Sequence, residues 1–254
     1  MGVVVARMNG RVWVAAAFAV AVLGVTGCQP KDLSDGAAPS GGAAVDGSGG
    51  GGPAAAALAK LTVRPDGSIS TYDRVKDFGQ AWTDDQSAPG GHNGCQTRDD
   101  ILRRDLTGTR LDGRCEVVSG TLKDPYTGKT IRFTRGRGTS LSVQIDHMVA
   151  LGNAWTTGAS RLSQPQREEL ANDPLNLIAA DGPANEGKGD DDAAKWLPQS
   201  RAFHCEYVAR QIAVKTKYHL WITTSEKTAM SNVLTACHAQ ALPTESSREV
   251  ALAS

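Results

Sequence analysis

A carboxylate beside an imidazole, two carboxamides and an ammonium fall within one stretch: Asp146-His147, then Asn176, Asn185 and Lys188. A neutral imidazole near its ordinary pKa accepts a proton from water at physiological pH. A carboxylate and a carboxamide oxygen are ligands for a hard divalent cation. Such a cation neutralises charge building on a phosphoryl group and assists a leaving oxygen. Those are the parts that phosphodiester hydrolysis requires. Taken singly, each residue has a plainer use. An Asp-His pair at a strand end is commonly a solvated edge, an Asn beside Pro or Gly forms turns, and one Lys is a surface charge.

Positioning these groups falls to the elements around them. Leu141, Val143 and Ile145 alternate with Ser142, Gln144 and Asp146, the period of a half-buried strand that ends on Asp146-His147. About thirty residues on, Asn176 enters a short apolar run, Leu177-Ile178-Ala179-Ala180, and Asn185-x-x-Lys188 then opens a helical segment. Two helices are expected between them: Val149–Trp155, and one with Ser163 as N-cap and Pro165 in its first turn.

Strand, Asp-His, Asn before a second strand, then Asn-x-x-Lys on a helix: this order resembles the HNH endonuclease family and its ββα-metal motif. Over much of Tyr72–Cys237 the chain is similar to secreted HNH proteins related to the C-terminal nuclease domain of GmrSD-type restriction enzymes. The resemblance implies that His147 is the general base, and that Asp146 and the side-chain oxygen of Asn185 hold the metal. Asn176 braces the connecting loop and orients the His147 ring, and Lys188 lies near the phosphate or organises the helix. Gln144 stands where many relatives carry a further Asp. Oxygen ligands favour Mg²⁺ or Mn²⁺, with Zn²⁺ or Ni²⁺ as alternatives. On this assignment the cleavage rate rises with pH through the imidazole pKa.

The N-terminus speaks to compartment. Arg7 and Arg11 precede an uncharged apolar run, Val12–Val25, with the layout of a secretory signal over residues 1–27. Val25-Thr26-Gly27-Cys28 resembles a lipobox, making Cys28 the lipidated residue and the membrane a partner; plain secretion is the alternative. Residues 28–59, rich in Gly, Ala, Ser and Pro, read as a flexible tether; 60–239 make one domain; 240–254 read as a disordered tail. The 27 basic and 27 acidic residues balance, and loss of Arg7 and Arg11 leaves 25 basic against 27 acidic, or −2. That excludes passive, high-affinity coating of nucleic acid, though not a nuclease whose metal supplies the local positive charge.

Within the domain, the aromatics of Tyr72 to Trp82 read as core. Thr97-Arg98-Asp99-Asp100 resembles a capping box opening a helix that runs to Leu106, whose Arg98, Arg103 and Arg104 read as solvated charges. Cys115–Leu122 and Lys129–Phe133 form a hairpin across Asp124-Pro125-Tyr126-Thr127-Gly128. Arg132, Arg135 and Arg137 follow as a locally basic stretch, either a phosphate-contacting loop, with Arg135 as its contact, or a plain exposed one. Arg201–Lys217 is helical, and Ser225 caps a last helix toward Cys237. No C-x-x-C occurs, so a zinc knuckle is not supported. Outside the membrane Cys95, Cys115, Cys205 and Cys237 form disulfides. Of three pairings, those between chain neighbours, Cys95–Cys115 and Cys205–Cys237, are favoured.

The expectation is an α+β fold: a ββα-metal core with flanking helices and an N-terminal β-hairpin. It acts as a monomeric, divalent-metal-dependent endonuclease on DNA, with RNA as a possible second substrate, outside the cytoplasmic membrane. The rival from another class is an inactive surface lipoprotein that binds a cell-wall polymer or a protein partner.

Overall fold

The computed structural model describes residues 52–252. The expected signal segment, Cys28 and most of the tether lie outside the described residues. The tether's end does not. Gly52–Lys60 forms a helix (α1), with Ala54 and Leu58 buried in the core. Ala54–Ala57 has the best helix propensity available, and Pro53 in the first turn costs no hydrogen bond, which the composition of the whole segment conceals.

After α1 come Arg74–Phe78 (α2) and Thr97–Asp105 (α3), then strands Leu106–Asp112 (β1), Glu116–Lys123 (β2) and Thr130–Thr134 (β3). The three strands form one antiparallel sheet in the order β1-β2-β3. The β2–β3 hairpin is the expected one. Asp124 ties its turn by accepting from the Thr127 N–H, and Gly128 takes the positive φ of 76° that closes it. Strand β1 was not expected; α3 stops at Asp105, and Leu106 opens the strand instead. Its period is broken where the register shifts between Thr107 and Arg110, with Gly108 between them at φ 61°, a bulge that hides the strand from a period-2 reading.

The capping box predicted at Thr97 is absent. Gln96 is the N-cap and gives no side-chain bond, while Thr97 Oγ1 donates to the Thr83 carbonyl at 3.0 Å. Asp99 and Asp100 serve neighbours, accepting from the Val117 N–H at 2.9 Å and from Asn93 Nδ2 at 2.9 Å.

The second sheet pairs Val143–His147 (β4) antiparallel with Leu177–Asp181 (β5), Val143 opposite Asp181 and His147 opposite Leu177. Between them lie Leu151–Thr156 (α4) and Gln164–Asn172 (α5), close to prediction; Ser163 N–H donates to Gln166 Oε1 at 3.0 Å to start α5. Gly182–Lys188 (α6) follows β5 directly. His204–Lys217 (α7) and Thr224–Leu234 (α8) complete the helices, α8 being capped by Thr223, not Ser225, through the Glu226 N–H at 3.1 Å.

Buried residues group where the two sheets meet α3, where α4 and α5 meet α7, and where α1 and α8 meet α7. The two predicted disulfides are present, Cys95–Cys115 with Cα atoms 5.4 Å apart and Cys205–Cys237 at 5.7 Å. The predicted disordered tail is packed through residue 252. Val250 is buried and its carbonyl accepts from Arg104 Nη1 at 3.2 Å.

Arg104 and Arg210 converge on the turn that carries Asn176. Arg104 donates to the carbonyls of Pro174 (2.9 Å) and Leu177 (2.6 Å); Arg210 donates to Pro174 (3.0 Å), Leu175 (3.2 Å) and Leu177 (2.8 Å). Burial and a neighbouring Arg104 lower the Arg210 pKa to about 10, still a cation at neutral pH. Two guanidiniums thus satisfy the carbonyls of this buried turn. They fix the entry to β5, and so the place of the site.

Candidate functional site

Strand β4 carries Asp146 and His147 to its end, as its alternation requires, yet both side chains are buried because the second face is also covered. Asp146 Oδ2 accepts from the Tyr126 hydroxyl at 2.5 Å, and Oδ1 from Lys188 Nζ at 3.0 Å. Burial, then the Asp146 carboxylate, push the Tyr126 phenol well above its ordinary pKa, so it remains a donor. Each Asp146 oxygen keeps a lone pair beyond these bonds.

His147 Nε2 lies 3.0 Å from the Ala171 carbonyl. A carbonyl only accepts, so Nε2 carries the proton and Nδ1 is left as a base. Trp82 stacks on the ring at 5.6 Å and 13°. Burial first, then the Arg74 charge, lower the imidazole pKa to about 3, against a partial opposing pull from Ala171. The ring is therefore neutral throughout the physiological range. This corrects the expectation that the rate climbs through an ordinary imidazole pKa.

Asn176 is fully buried. Its Oδ1 accepts from the Val149 N–H at 2.8 Å and its Nδ2 donates to the Leu170 carbonyl at 3.2 Å. It joins the loop after His147 to the end of α5, where Ala171 holds the ring. The bracing role fits, and the orientation of the ring is indirect.

Asn185, on α6, donates Nδ2 to Gln144 Oε1 at 2.8 Å. Gln144 Nε2 in turn donates to Glu186 Oε1 at 2.9 Å, which fixes both amide orientations. Asn185 Oδ1 is thereby left available. Asp146, His147 and Asn185 line one cavity of about 470 Å³, shared with Tyr72, Arg74, Trp82 and Asp190. A larger apolar cavity of about 740 Å³ between α1 and α8 holds no comparable constellation.

Lys188 and Arg135 do not reach this cavity as phosphate contacts. Lys188 is buried, with Nζ bonded to Asp146 and to the His147 carbonyl at 2.9 Å. Helix α6 turns it inward, where it organises the β4 end. Arg135 is taken up by Asp99, by Glu116 at 3.1 Å and by the Val117 carbonyl at 2.8 Å, bracing β2 against α3. Arg74 and Trp82 are the cavity residues that reading the sequence missed. The available signal was Asp73, which caps α2 by accepting from Val75 and Lys76 N–H groups at 3.1 and 3.0 Å. A capped turn marks Arg74 as the first helical residue; that it meets a strand some seventy residues later is a tertiary fact.

Among the described residues no group of three or more His, Cys, Asp or Glu is placed to hold a metal ion. One carboxylate and one amide oxygen fit a hard cation that keeps several waters and shares a substrate phosphate; they do not fit a closed zinc site.

Residues 96–233 match the family described as GmrSD restriction endonucleases, C-terminal domain. An "Uncharacterized secreted protein" of Arthroderma benhamiae is 38% identical over 182 residues, 71% of this chain and 82% of the relative. No solved structure matches. With more than half of its length matched, the chain belongs to the GmrSD restriction endonuclease C-terminal domain family, a nuclease-type family.

Proposed function

We propose that the chain is an HNH endonuclease hydrolysing phosphodiester bonds in DNA with a divalent cation, Mg²⁺ or Mn²⁺, outside the cytoplasmic membrane. One observation carries it: on the strand–strand–helix unit β4-β5-α6, Asp146, His147 and Asn185 line one cavity. The two disulfides and a relative described as secreted support the oxidising location. A lipid at Cys28 would tether the domain to the membrane.

In this mechanism Asp146 and Asn185 would hold the cation, which when bound would supply charge neutralisation for the phosphoryl group. His147 takes the proton of the attacking water on Nδ1 while Nε2–H stays on Ala171. Trp82 prevents the ring from rotating out. Tyr126 and Lys188 hold the Asp146 carboxylate in place through one hydrogen bond to each oxygen.

The test is plasmid nicking with Mg²⁺ or Mn²⁺, with and without chelator, beside calorimetric metal titration. His147→Ala should lower the rate roughly 10²–10⁴-fold with metal affinity little changed. Asp146→Asn, chosen because it keeps the side-chain shape and one acceptor oxygen that Asp146→Ala would remove, should weaken metal binding and recover partly at high Mn²⁺. Asn185→Ala should do the same more mildly. Should His147→Ala cleave at the wild-type rate while binding metal, the mechanism is wrong; should the wild type cleave nothing, the inactive-lipoprotein reading takes its place.

A further inference from the structure

Lys188 and Arg135 are spent on internal partners, which leaves the question of what meets the phosphate. Arg74 is the basic side chain lining the cavity of Asp146, His147 and Asn185. Among the described residues its guanidinium makes no salt bridge and no hydrogen bond. It rests instead over the Trp82 ring, 6.0 Å from the centroid. An aromatic face holds a guanidinium without consuming any of its five N–H donors. The acid that shares the rim, Asp190, is already engaged, its Oδ1 accepting from the Gly152 N–H at 3.1 Å. Half-buried Arg74 is thus a partly desolvated, pre-positioned cation whose donors have no recipient among the described residues. Both it and Trp82 precede residue 96, where the family match starts.

We infer that Arg74 binds the scissile phosphodiester through paired N–H bonds to its non-bridging oxygens, with Trp82 holding both the guanidinium and the His147 ring in register. The segment before the matched region therefore completes the site. This rests on the phosphodiester reading of the cavity, and its test is built to fail separately. The planar fork of a guanidinium suits a phosphate bidentately, where an ammonium offers a point charge.

Two measurements are compared for wild type, Arg74→Ala, Arg74→Lys and Arg74→Gln. The first is nicking of plasmid with Mn²⁺. Arg74→Ala should lose about 10²-fold in kcat/KM, as loss of one charge-stabilising donor group does, and Lys should retain more than Gln. The second is anisotropy of a short fluorescein-labelled duplex with EDTA present and His147→Ala in every protein. Adding Arg74→Ala should weaken binding about tenfold and flatten the salt dependence by about one phosphate contact. If Arg74→Ala cleaves and binds like its parent while His147→Ala abolishes cleavage, the Arg74 assignment falls and the nuclease reading stands. If the wild type never nicks but duplex binding still requires Arg74, hydrolysis falls and the phosphate site stands. Should Arg74→Ala fail to fold, equal activity of the Lys and Gln variants overturns the assignment.

Discussion

Two buried lysine–carboxylate pairs sit in different halves of this domain and are put to different ends. Lys215 Nζ, on α7, meets Glu226 of α8 at 3.0 Å, Asn153 Oδ1 at 3.0 Å and the Trp221 carbonyl at 3.3 Å, and neither charged side chain has any exposure. Lys188 Nζ meets Asp146 at 3.0 Å and the His147 carbonyl, but Asp146 keeps 6% of its side chain exposed and lines the cavity. The first pair is sealed on every side and crosslinks α4, α7 and α8. The second is sealed on the lysine side alone and presents a carboxylate, with its charge already balanced, to whatever enters. The same chemistry becomes a sealed staple or an accessible carboxylate according to which partner retains a path to water.

Removing each lysine should sharpen the contrast. Lys215→Met strands Glu226 without compensation and should cost roughly 3–5 kcal/mol in urea unfolding. Nicking per folded molecule should stay at the wild-type level, since nothing at the cavity changes. Lys188→Met should cost less, because Asp146 can still reach solvent, yet it should cut nicking severely. A ligand that binds only the native state stabilises by mass action. Added Mn²⁺ should therefore raise the stability of Lys188→Met and leave that of Lys215→Met no higher than the wild-type increment. Equal responses of the two variants to Mn²⁺ would remove the distinction.

The disulfides offer the next smaller test, one beside each region. Cys205–Cys237 closes a separation of 32 residues around the sealed pair, and Cys95–Cys115 one of 20 beside the three-stranded sheet. On the chain-entropy model each contributes about 3–4 kcal/mol, the longer loop slightly more. Cys205→Ser/Cys237→Ser should lower the unfolding midpoint without moving the metal affinity of the folded protein. Cys95→Ser/Cys115→Ser should loosen the Trp82–Cys95 segment as well, because Cys115 anchors its end, and should raise KM. Indistinguishable KM values for the two double variants would show that the segment over His147 is held by other contacts.

What the sequence made legible was local. Alternation at Val143–Asp146, the Ser163/Pro165 start of α5 and the turn at Asp124–Gly128 all rest on near neighbours, and each appears in the structure. What stayed hidden was pairing over distance. Lys188 was read as a phosphate contact or a helix organiser because nothing within α6 shows that its inward turn faces Asp146. Arg104 looked solvated because its partners are backbone carbonyls of Pro174 and Leu177, which no side-chain pattern advertises. Arg135 stood in a basic run that suggested phosphate, while its carboxylate partners Asp99 and Glu116 lie on other elements. Strand β1 was lost to the bulge at Gly108, and α1 to the Gly-rich composition of the chain before it. Charge chemistry was visible residue by residue; its bookkeeping across elements was not.

The smallest expected effect concerns pH, and it separates the site from the sealed pair once more. In the unfolded chain His147 titrates near 6.5, and in the folded protein burial and Arg74 lower it to about 3. Between those values the unfolded state binds the extra proton, so stability rises with pH across this window and is lost as pH falls through it. Over the 1.5 units from 6.5 down to pH 5 the imidazole alone should cost about 2 kcal/mol. At Glu226 burial outweighs the Lys215 charge and raises the carboxyl pKa, so acid does not loosen that region in the same way. Urea unfolding at pH 7 and pH 5 should show wild type losing more stability than His147→Gln, whose side chain cannot take the proton. Hydrogen exchange should place the acid-induced opening at the ends of β4 and α5, with the α7–α8 contact still protected. The cleavage rate should owe no inflection near pH 6.5 to His147, which is already neutral there. A His147-dependent inflection near 6.5, absent from His147→Gln and joined by equal pH slopes of stability in the two proteins, would mean that the ring is solvated and that Trp82 does not cover it.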